Sequence, residues 1–348
     1  MELSWRPLPL ILKAPFRTAF AERHDKSTLW VIVSHDGVCG WGEAVPMDTY
    51  GQTVESAERT LRNVAPALDG PPMNVEHLTN DLLVRYDDQR ATVAAVDAAL
   101  HDWIGKKHRV AVCRWLGLNP DSIPLTSLTI GLDEPEAMAE KAARAASFPI
   151  LKIKLGTPQD EEILTAIRRV APNTTLRVDA NMAWRAERAE HHLRLARRFD
   201  VEFVEQPVAA DDLDGLERFK SLGICPIVAD ESCVRLNDVL RLKGRVDGIN
   251  IKLSKCGGIC EALRIIRAAR GLGMKIMLGC MVESSLGIAA AVQLAPLADW
   301  LDLDGHLLLA HDPFTGIGGR DGRLTCGSRP GLGVERTDEA CAWPPPAR

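Results

Sequence analysis

The sequence predicts an α/β protein, a modified TIM (β/α) barrel with an N-terminal α+β capping domain. Three observations support this prediction. A β-hairpin pattern and an Ala-rich helical pattern occupy the first third of the 348-residue chain. From about residue 125, short β-rich segments recur, and each is followed by an amphipathic helical pattern. Eight such βα units in series are typical of a parallel barrel that closes on itself.

The N-terminal domain is predicted from a turn and a helix. Residues 28–43 contain two β-branched, apolar segments on either side of Asp36-Gly37, a pair that favours a tight turn. Residues 92–107 are Ala-rich, with apolar positions at helical spacing. We therefore place the capping domain over residues 1–115.

The barrel is predicted over residues 116–315. Its β-rich segments begin about 25 residues apart, which leaves room for one strand, one helix and two short loops. An open, doubly wound sheet is the alternative, but eight evenly spaced units favour closure. Residues 316–348 are Gly- and Pro-rich and are predicted to form a tail that returns to the capping domain. The eight segments are Leu125–Ile130, Ile150–Leu155, Leu176–Ala180, Glu202–Glu205, Ile227–Asp230, Gly248–Leu253, Lys275–Leu278 and Trp300–Leu303.

Composition disfavours several classes of protein. Lys plus Arg number 42 and Asp plus Glu number 47, so the chain lacks the basic excess of a nucleic-acid-binding protein. No apolar segment approaches the roughly 18–20 residues of a membrane span, and the N-terminus lacks the apolar core of a signal peptide. The nine cysteines are an odd number and lie mostly in apolar segments, which indicates a reduced, cytoplasmic protein.

Three acids follow consecutive predicted strands. Asp179, Glu205 and Asp230 end the third, fourth and fifth segments. Because the carboxyl ends of barrel strands form the active face, these side chains are expected to converge. Three close carboxylates repel one another unless a cation neutralises them, and all-oxygen ligation suits Mg²⁺, with Mn²⁺ as a second option. Unrelated surface salt bridges are the alternative, but three acids in register favour a metal site.

Three lysines are also placed at strand ends. Lys152 and Lys154 stand two apart on the second segment and therefore face the same way. Two adjacent ammonium groups are expected to lower each other's pKa, which would make a base near neutral pH. Lys252 ends the sixth segment, across the barrel, so one lysine would face each side of a bound substrate. The alternative, that each lysine only pairs with an acid, stays open for Lys152.

These strand ends form a set of short motifs. The set comprises Lys-Ile-Lys at 152–154, Asp-Ala-Asn at 179–181, Glu-Gln-Pro at 205–207, Asp-Glu-Ser at 230–232 and Ile-Lys-Leu-Ser-Lys-Cys-Gly-Gly at 251–258. It resembles the enolase superfamily, muconate-lactonising-enzyme subgroup, over nearly the whole chain. The resemblance implies an N-terminal domain that closes over the barrel and supplies specificity loops.

The resemblance also implies roles for individual residues. It implies that Lys154 and Lys252 are the acid/base pair and that Lys152 is an electrostatic helper. Members of this superfamily pair a lysine or histidine base with Mg²⁺ that stabilises an enediolate. The implied magnesium ligands are Asp179, Glu205 and Asp230.

The eighth segment ends in Asp302-Leu303-Asp304, which places two carboxylates on one face. They could hold an ammonium group by charge-assisted hydrogen bonds. The pattern resembles the Asp-x-Asp motif of dipeptide epimerases, where it holds the substrate's α-ammonium, and residues 279–284 also resemble those enzymes. Capping of the following turn is the alternative role for the two acids.

The capping loops are expected to contact the side chain of the second substrate residue. Arg23 follows Pro15 by eight residues, a spacing that resembles Ala-Glu epimerases, in which this arginine clasps the glutamate carboxylate. Glu22, in the same loop as Arg23, and Asp48, in a second capping loop, could instead suit a cationic or neutral side chain. The remaining candidate substrate-binding residues are Tyr50, Thr129 and Cys280.

The sequence therefore predicts an isomerase, a Mg²⁺-dependent dipeptide epimerase that performs a 1,1-proton transfer at the α-carbon of the C-terminal residue. The preferred substrate is L-Ala-D/L-Glu, from murein peptide metabolism. The alternatives are o-succinylbenzoate synthase, muconate cycloisomerase, N-acylamino-acid racemase and, more remotely, a non-catalytic metal-binding barrel. The expected partner is a small-molecule dipeptide rather than a nucleic acid or a membrane, and a homo-oligomer stays open.

Overall fold

The computed structural model describes residues 1–18, 21–68, 70–326 and 329–337. Residues 338–348 of the predicted tail lie outside these ranges. Within the described residues, no helix is long and apolar enough to cross a membrane.

A three-stranded antiparallel sheet forms the centre of the N-terminal unit. Asp36 and Gly37 occupy the turn between the second and third strands, both at positive φ, so the predicted hairpin is confirmed. The strand order is β1 (Glu2–Arg17), β2 (Glu22–His35) and β3 (Val38–Ala44).

The sequence patterns do not predict β1, because Pro7, Pro9 and Pro15 interrupt its alternation. Proline cannot donate a hydrogen bond to a β-ladder, so within sheets it is tolerated chiefly at an open edge. β1 is such an edge strand. Its inward-facing Leu8 and Leu10 are fully buried, and this burial holds the strand in place.

Four helices accompany this sheet, and α3 packs directly on β3. A Cβ atom at Gly40 would lie 1.9 Å from the backbone oxygen of Ala99, so only glycine permits this approach. The helix predicted over 92–107 lies within α3. The four helices are α1 (Val54–Val64), α2 (Val75–Arg85), α3 (Arg90–His108) and α4 (Val112–Trp115).

Eight parallel strands follow one another around a barrel in chain order, so the predicted barrel is confirmed. Closure comes from a parallel bridge between Thr126 and Leu301, which joins the first barrel segment to the last. The strands are β4 (Leu128–Ile130), β5 (Ile150–Lys154), β6 (Thr175–Asp179), β7 (Val201–Glu205), β8 (Ile227–Ala229), β9 (Gly248–Ile251), β10 (Lys275–Gly279) and β11 (Trp300–Asp302).

Helices alternate with these strands, as a βα barrel requires. Acids begin and bases end several of them, which matches the helix dipole. In the second, for example, Asp160 stands in the first turn and Arg169 in the last. The barrel helices are α5 (Pro135–Arg144), α6 (Asp160–Val170), α7 (Ala189–Arg198), α8 (Leu213–Ser221), α9 (Leu236–Leu242), α10 (Leu253–Cys256), α11 (Ile259–Gly271) and α12 (Ser285–Val292).

Buried acids of the N-terminal unit attach it to barrel helices. Asp97 on α3 accepts a hydrogen bond from the backbone amide of Ile259, at the start of α11, over 2.6 Å. Glu43 on β3 accepts from the backbone amides of Ser284 and Gly287, at the start of α12, each over 3.1 Å. The first amides of a helix have no partner within their own helix, so these carboxylates satisfy them across the domain boundary.

The C-terminal segment contacts the N-terminal unit again. The backbone amide of Leu332 donates to Asp102 on α3 over 2.8 Å, and the amide of Trp41 donates to the same carboxylate, also over 2.8 Å. Two short antiparallel strands flank this contact, β12 (Phe314–Thr315) and β13 (Glu335–Arg336).

Candidate active site

A cavity of about 290 Å³ lies at the carboxyl ends of the barrel strands, next to the loops of the capping domain. Asp179 and Glu205 are fully buried and reach this cavity through ion pairs with Lys152, which lines it. The structure thus brings all the predicted site residues to one place. The others, which line the cavity directly, are Arg23, Tyr50, Thr129, Lys154, Asp230, Lys252, Cys280, Asp302 and Asp304.

The acids end neighbouring strands at matching heights. Asp179 is in register with Glu205 across β6 and β7, and Asp230 directly follows β8. One oxygen of each of the first two acids is held by a fixed donor. Asp179 Oδ1 accepts from the backbone amide of Asn181, and Glu205 Oε1 accepts from the side-chain amide of Asn250, both over 2.8 Å.

The two carboxylate oxygens of Asp230 also have different partners, one a fixed donor and the other a lysine of the cavity. Its Oδ1 is held by the ammonium of Lys255, which also donates to the backbone oxygens of Asp230 over 2.6 Å and Asn250 over 3.1 Å. Its Oδ2 lies 2.7 Å from the Nζ of Lys252. Each acid therefore turns one oxygen toward the lysines while a fixed donor holds the other.

Lys152 lies among the acids. Its Nζ is 2.7 Å from both Glu205 Oε2 and Asp302 Oδ2 and 3.0 Å from Asp179 Oδ2. With three carboxylates around it and 2% of its surface exposed, Lys152 is the buried counter-charge of the acid group.

Lys154 and Lys252 stand on opposite walls of the cavity. Lys154 ends β5 and Lys252 directly follows β9, and these strands are four positions apart in a barrel of eight. Lys154 Nζ lies 2.7 Å from Asp179 Oδ2, and Lys252 makes the matching contact with Asp230. A substrate between the two lysines would present one face to each.

The carboxylates control the protonation of Lys152 and Lys252. Burial lowers the pKa of Lys152, but Asp179 and the other surrounding acids outweigh burial and raise that pKa well above its ordinary value. Asp230 overcomes burial in the same way and raises the pKa of Lys252. The predicted lowering of the pKa of Lys152 by its lysine neighbour is therefore wrong, because the nearest charges are carboxylates. A divalent cation among the acids would weaken this effect.

The donor set fits a hard divalent cation. Asp179, Glu205 and Asp230 each offer one carboxylate oxygen, and Mg²⁺ prefers oxygen ligands. Burial and the charge of Asp179 raise the pKa of Glu205 to about 8, so the lysines alone do not keep all three acids ionised. A divalent cation held by these acids would supply the missing positive charge.

Asp302 and Asp304 have unequal surroundings. Asp302 is ion-paired with Lys152 and accepts from the hydroxyl of Ser127 over 2.7 Å. Asp304 accepts from the backbone amide of Thr129 over 2.6 Å and lies 3.9 Å from the Sγ of Cys280. Burial and the charge of Asp302 raise the pKa of Asp304 to about 6, and the attraction of Lys152 offsets only part of this rise.

The capping loops contribute positive charge to the cavity wall. Arg23 on β2 lines the cavity, and its side chain has no hydrogen-bond or ion-pair partner among the described residues. Lys26, three residues on, also lines the cavity and donates to the backbone oxygen of Pro46. Glu22 instead pairs with Arg17 over 2.7 Å, outside the cavity.

Sequence reasoning gave no role to Lys255, Asn250 and Lys26, which contribute to this site. Lys255 belongs to the 251–258 motif and stands three residues after Lys252, so it had a signal. Asn250 had a weaker one, because it precedes Lys252 by two residues and therefore shares its face of the strand. Lys26 had none, because no sequence motif places it beside the cavity that it lines.

The fold and site define an acid–base enzyme. Its (β/α) barrel carries convergent carboxylates and opposed lysines at its mouth, beneath an N-terminal capping unit. The chain belongs to the mandelate racemase/muconate lactonizing enzyme family. The N-terminal domain of that family matches residues 5–117, and the enolase C-terminal domain-like family matches residues 136–340.

Several known proteins of similar sequence and structure are epimerases. The L-Ala-D/L-Glu epimerase of Bacteroides thetaiotaomicron is 37% identical, over 96% of this chain and 88% of its own. The L-Ala-D/L-amino acid epimerase of a Maribacter species is 36% identical, over 96% and 99%. The dipeptide epimerase of Enterococcus faecalis, solved with Mg and L-Leu-L-Tyr, superposes with a TM-score of 0.91 at 34% identity and covers 96% of this chain and 99% of its own.

Proposed function

We propose that this protein is a Mg²⁺-dependent dipeptide epimerase whose preferred substrate is L-Ala-D/L-Glu. The observation that carries the proposal is the placement of Lys154 and Lys252 on opposite walls of one cavity, each 2.7 Å from an acid. Inversion at a carbon needs a proton donor and a proton acceptor on opposite faces, and this pair provides both. The similarity to known epimerases supports the same reaction.

The two lysines share the proton transfer. One, as the free amine, removes the α-proton of the C-terminal residue, and the other, as the ammonium, returns a proton to the opposite face. Mg²⁺ held by Asp179, Glu205 and Asp230 would supply the positive charge that stabilises the substrate carboxylate as it becomes an enediolate. Lys152 adds a fixed charge beside the same acids.

Asp304 is suited to hold the substrate's α-ammonium. Asp302 is ion-paired with Lys152, whereas Asp304 has no ion pair among the described residues, and the charge of Asp302 affects its pKa more than that of Lys152 does. An ammonium group would supply Asp304 with the missing cationic partner. Asp302, which is paired with Lys152, would help to fix the position of Asp304 through Thr129, whose hydroxyl donates to Asp302. The motif therefore acts unequally, with Asp304 as the contact residue.

The capping loops favour an acidic side chain on the substrate. Arg23 and Lys26 bring two positive charges to the cavity wall, and neither Glu22 nor Asp48 lines it. A glutamate carboxylate would complete this arrangement, because a guanidinium without a partner gains most from a carboxylate. A lysine or arginine side chain would meet charge of the same sign.

Deuterium incorporation from D₂O tests the proposal directly. Incubation with a library of free dipeptides and Mg²⁺ is expected to label the α-carbon of the C-terminal residue, fastest for L-Ala-L-Glu and L-Ala-D-Glu. N-acetyl-Ala-Glu serves as the control, because it keeps the dipeptide and its glutamate side chain but replaces the ammonium by a neutral amide. Faster labelling of the acetylated compound, or labelling of no dipeptide at all, would contradict the proposal.

A further inference from the structure

Two side-chain oxygens beside the acid group are buried and have no hydrogen-bond partner within the described residues. They are the Oδ1 of Asn181 and the Oε2 of Glu231. Both residues line the same cavity as Asp230 and the opposed lysines. A buried acceptor without a donor costs free energy, so each oxygen is suited to a ligand that donates a hydrogen bond.

The two side chains are fixed to each other and to the acids. The side-chain amide of Asn181 donates to Glu231 Oε1 over 3.4 Å, which leaves Oδ1 of the asparagine and Oε2 of the glutamate free. Asn181 follows Asp179 by two residues and Glu231 follows Asp230 directly. The pair therefore joins the ends of β6 and β8, on either side of the strand that carries Glu205.

Asn181 is also suited to its backbone conformation. Its φ is 41°, in the left-handed region, where asparagine is one of the few tolerated side chains. In this conformation its backbone amide reaches Asp179 Oδ1. One residue thus orients an acid through its backbone and presents an unpaired oxygen through its side chain.

A magnesium ion in the three-acid site would need more than three ligands. Mg²⁺ takes six oxygens in near-octahedral geometry and usually keeps several waters. Three acids that each offer one oxygen leave the remaining positions to water or to the substrate carboxylate. Water bound to a divalent cation is a strong hydrogen-bond donor and requires acceptors nearby.

We propose that Asn181 and Glu231 are positioning residues that accept hydrogen bonds from Mg²⁺-bound water and so strengthen Mg²⁺ binding before the dipeptide arrives. The inference rests on the proposed function only in placing Mg²⁺ among Asp179, Glu205 and Asp230. The two residues touch the water, and the acids hold the ion.

Calorimetric titration of the substrate-free protein with Mg²⁺ tests this inference through two variants. Asn181→Gly keeps the left-handed backbone and removes the acceptor. Glu231→Gln keeps the volume, but when its oxygen accepts from the amide of Asn181 it turns an NH2 donor, in place of the free acceptor Oε2, toward the water. Each variant is expected to raise the Mg²⁺ dissociation constant about tenfold or more. Saturating Mg²⁺ is expected to restore most of the kcat, because the lysines are unchanged.

Asp211→Asn is the matched control for loss of charge. Asp211 is an exposed acid that lines a neighbouring cavity together with Glu231. The Mg²⁺ dissociation constant of the Asp211→Asn variant is expected to stay within about twofold of the wild-type value. Thermal unfolding in EDTA checks that each variant is folded.

The outcomes separate this inference from the proposed function. Wild-type Mg²⁺ affinity in both folded variants, or an equal loss in Asp211→Asn, would overturn the inference and leave epimerisation standing. Weakened Mg²⁺ binding in a protein that labels no dipeptide in D₂O would support the inference and overturn the proposed function.

Discussion

Lys152, Lys154 and Lys252 show how one side chain takes different roles in different surroundings. Lys152 contacts three carboxylates and is almost fully buried, so its charge is committed to the acids. Lys154 and Lys252 each contact the free oxygen of a single acid. A cation bound by those acids would release both lysines toward the substrate, whereas Lys152 would keep Asp302.

The two-lysine mechanism predicts separate losses for the two lysines. Lys154→Ala is expected to abolish epimerisation, by about 10³-fold or more, and to leave slow deuterium exchange in the one epimer whose α-hydrogen faces Lys252. Lys252→Ala is expected to leave exchange in the opposite epimer. Exchange is measured by NMR on each pure epimer in D₂O. Lys107→Ala, at an exposed ion pair with Asp36, is the control. Exchange of both epimers by either active-site variant would rule out this division of labour.

Arg23 and Arg17 form a matched pair on the same hairpin. Arg23→Ala is expected to reduce the preference for L-Ala-L-Glu over L-Ala-L-Gln by about ten- to a hundredfold, because it removes the charge that faces the glutamate carboxylate. The guanidinium of Arg17 already pairs with Glu22 outside the cavity, so Arg17→Ala is expected to leave the preference unchanged. The preference is measured as the ratio of the kcat/KM values for the two dipeptides. A preference for Ala-Lys in the wild type would show that an acid faces the substrate instead.

Helix α7 carries a titratable group within its packing surface. His192 stacks on Trp184, with ring centroids 4.3 Å apart and planes 7° from parallel. Burial, His191 and Arg188 together lower the pKa of His192 to about 4. The folded protein therefore holds this imidazole neutral over a range where an unfolded chain, with a pKa near 6.5, takes up a proton.

This difference predicts an acid-dependent loss of stability. The contribution of His192 is complete above pH 6.5 and decreases as the pH falls toward 4, because only the unfolded chain binds the proton there. His192→Phe keeps the ring stack and cannot be protonated. Its free energy of unfolding relative to the wild type is therefore expected to rise as the pH falls from 7 to 5, measured by urea denaturation. A difference that is constant with pH would contradict the assignment.

The elements that could be predicted from sequence are those that recur at a regular spacing and end in charged residues. The barrel strands and their terminal acids follow a regular spacing, so Asp179 and Glu205 could be placed at neighbouring strand ends from that spacing alone. The edge strand β1 could not, because its prolines imitate a loop and the burial of Leu8 appears only after folding. Asn250 and Glu205 are 45 residues apart and meet through a side-chain hydrogen bond, which no local pattern encodes.

At the scale of the whole molecule, buried acids join the two domains. Asp97 accepts from the amide of Ile259 and from the hydroxyl of Thr79 over 3.0 Å, and lies 3.5 Å from His101. Burial opposes the charge on His101, but Asp97 raises its pKa. With Cys260 these groups are close enough to hold a metal ion, yet donors already reach both oxygens of the carboxylate.

Loss of this contact is expected to destabilise the whole protein. Asp97→Asn can keep one acceptor oxygen for the backbone N–H of Ile259, but its NH2 then faces the donors at the other oxygen, and His101 loses its charged partner. We expect a cost of about 3 kcal/mol or more in the free energy of unfolding, measured by urea denaturation. Asp81→Asn, at an exposed pair with His77, is the control and is expected to change it by less than about 0.5 kcal/mol. Equal effects of the two changes would show that the domain contact adds no stability.

The carboxylates that join the domains also constrain the order in which the protein can mature during synthesis. The ribosome makes Glu43, Asp97 and Asp102 early, but their donors at Ser284, Ile259 and Leu332 are 241, 162 and 230 residues further along the chain. Until those segments emerge, the three acids stay in contact with water, and the surface that will face the barrel stays open. We therefore expect the nascent capping domain to keep its barrel-facing surface open to chaperones until most of the chain has been made.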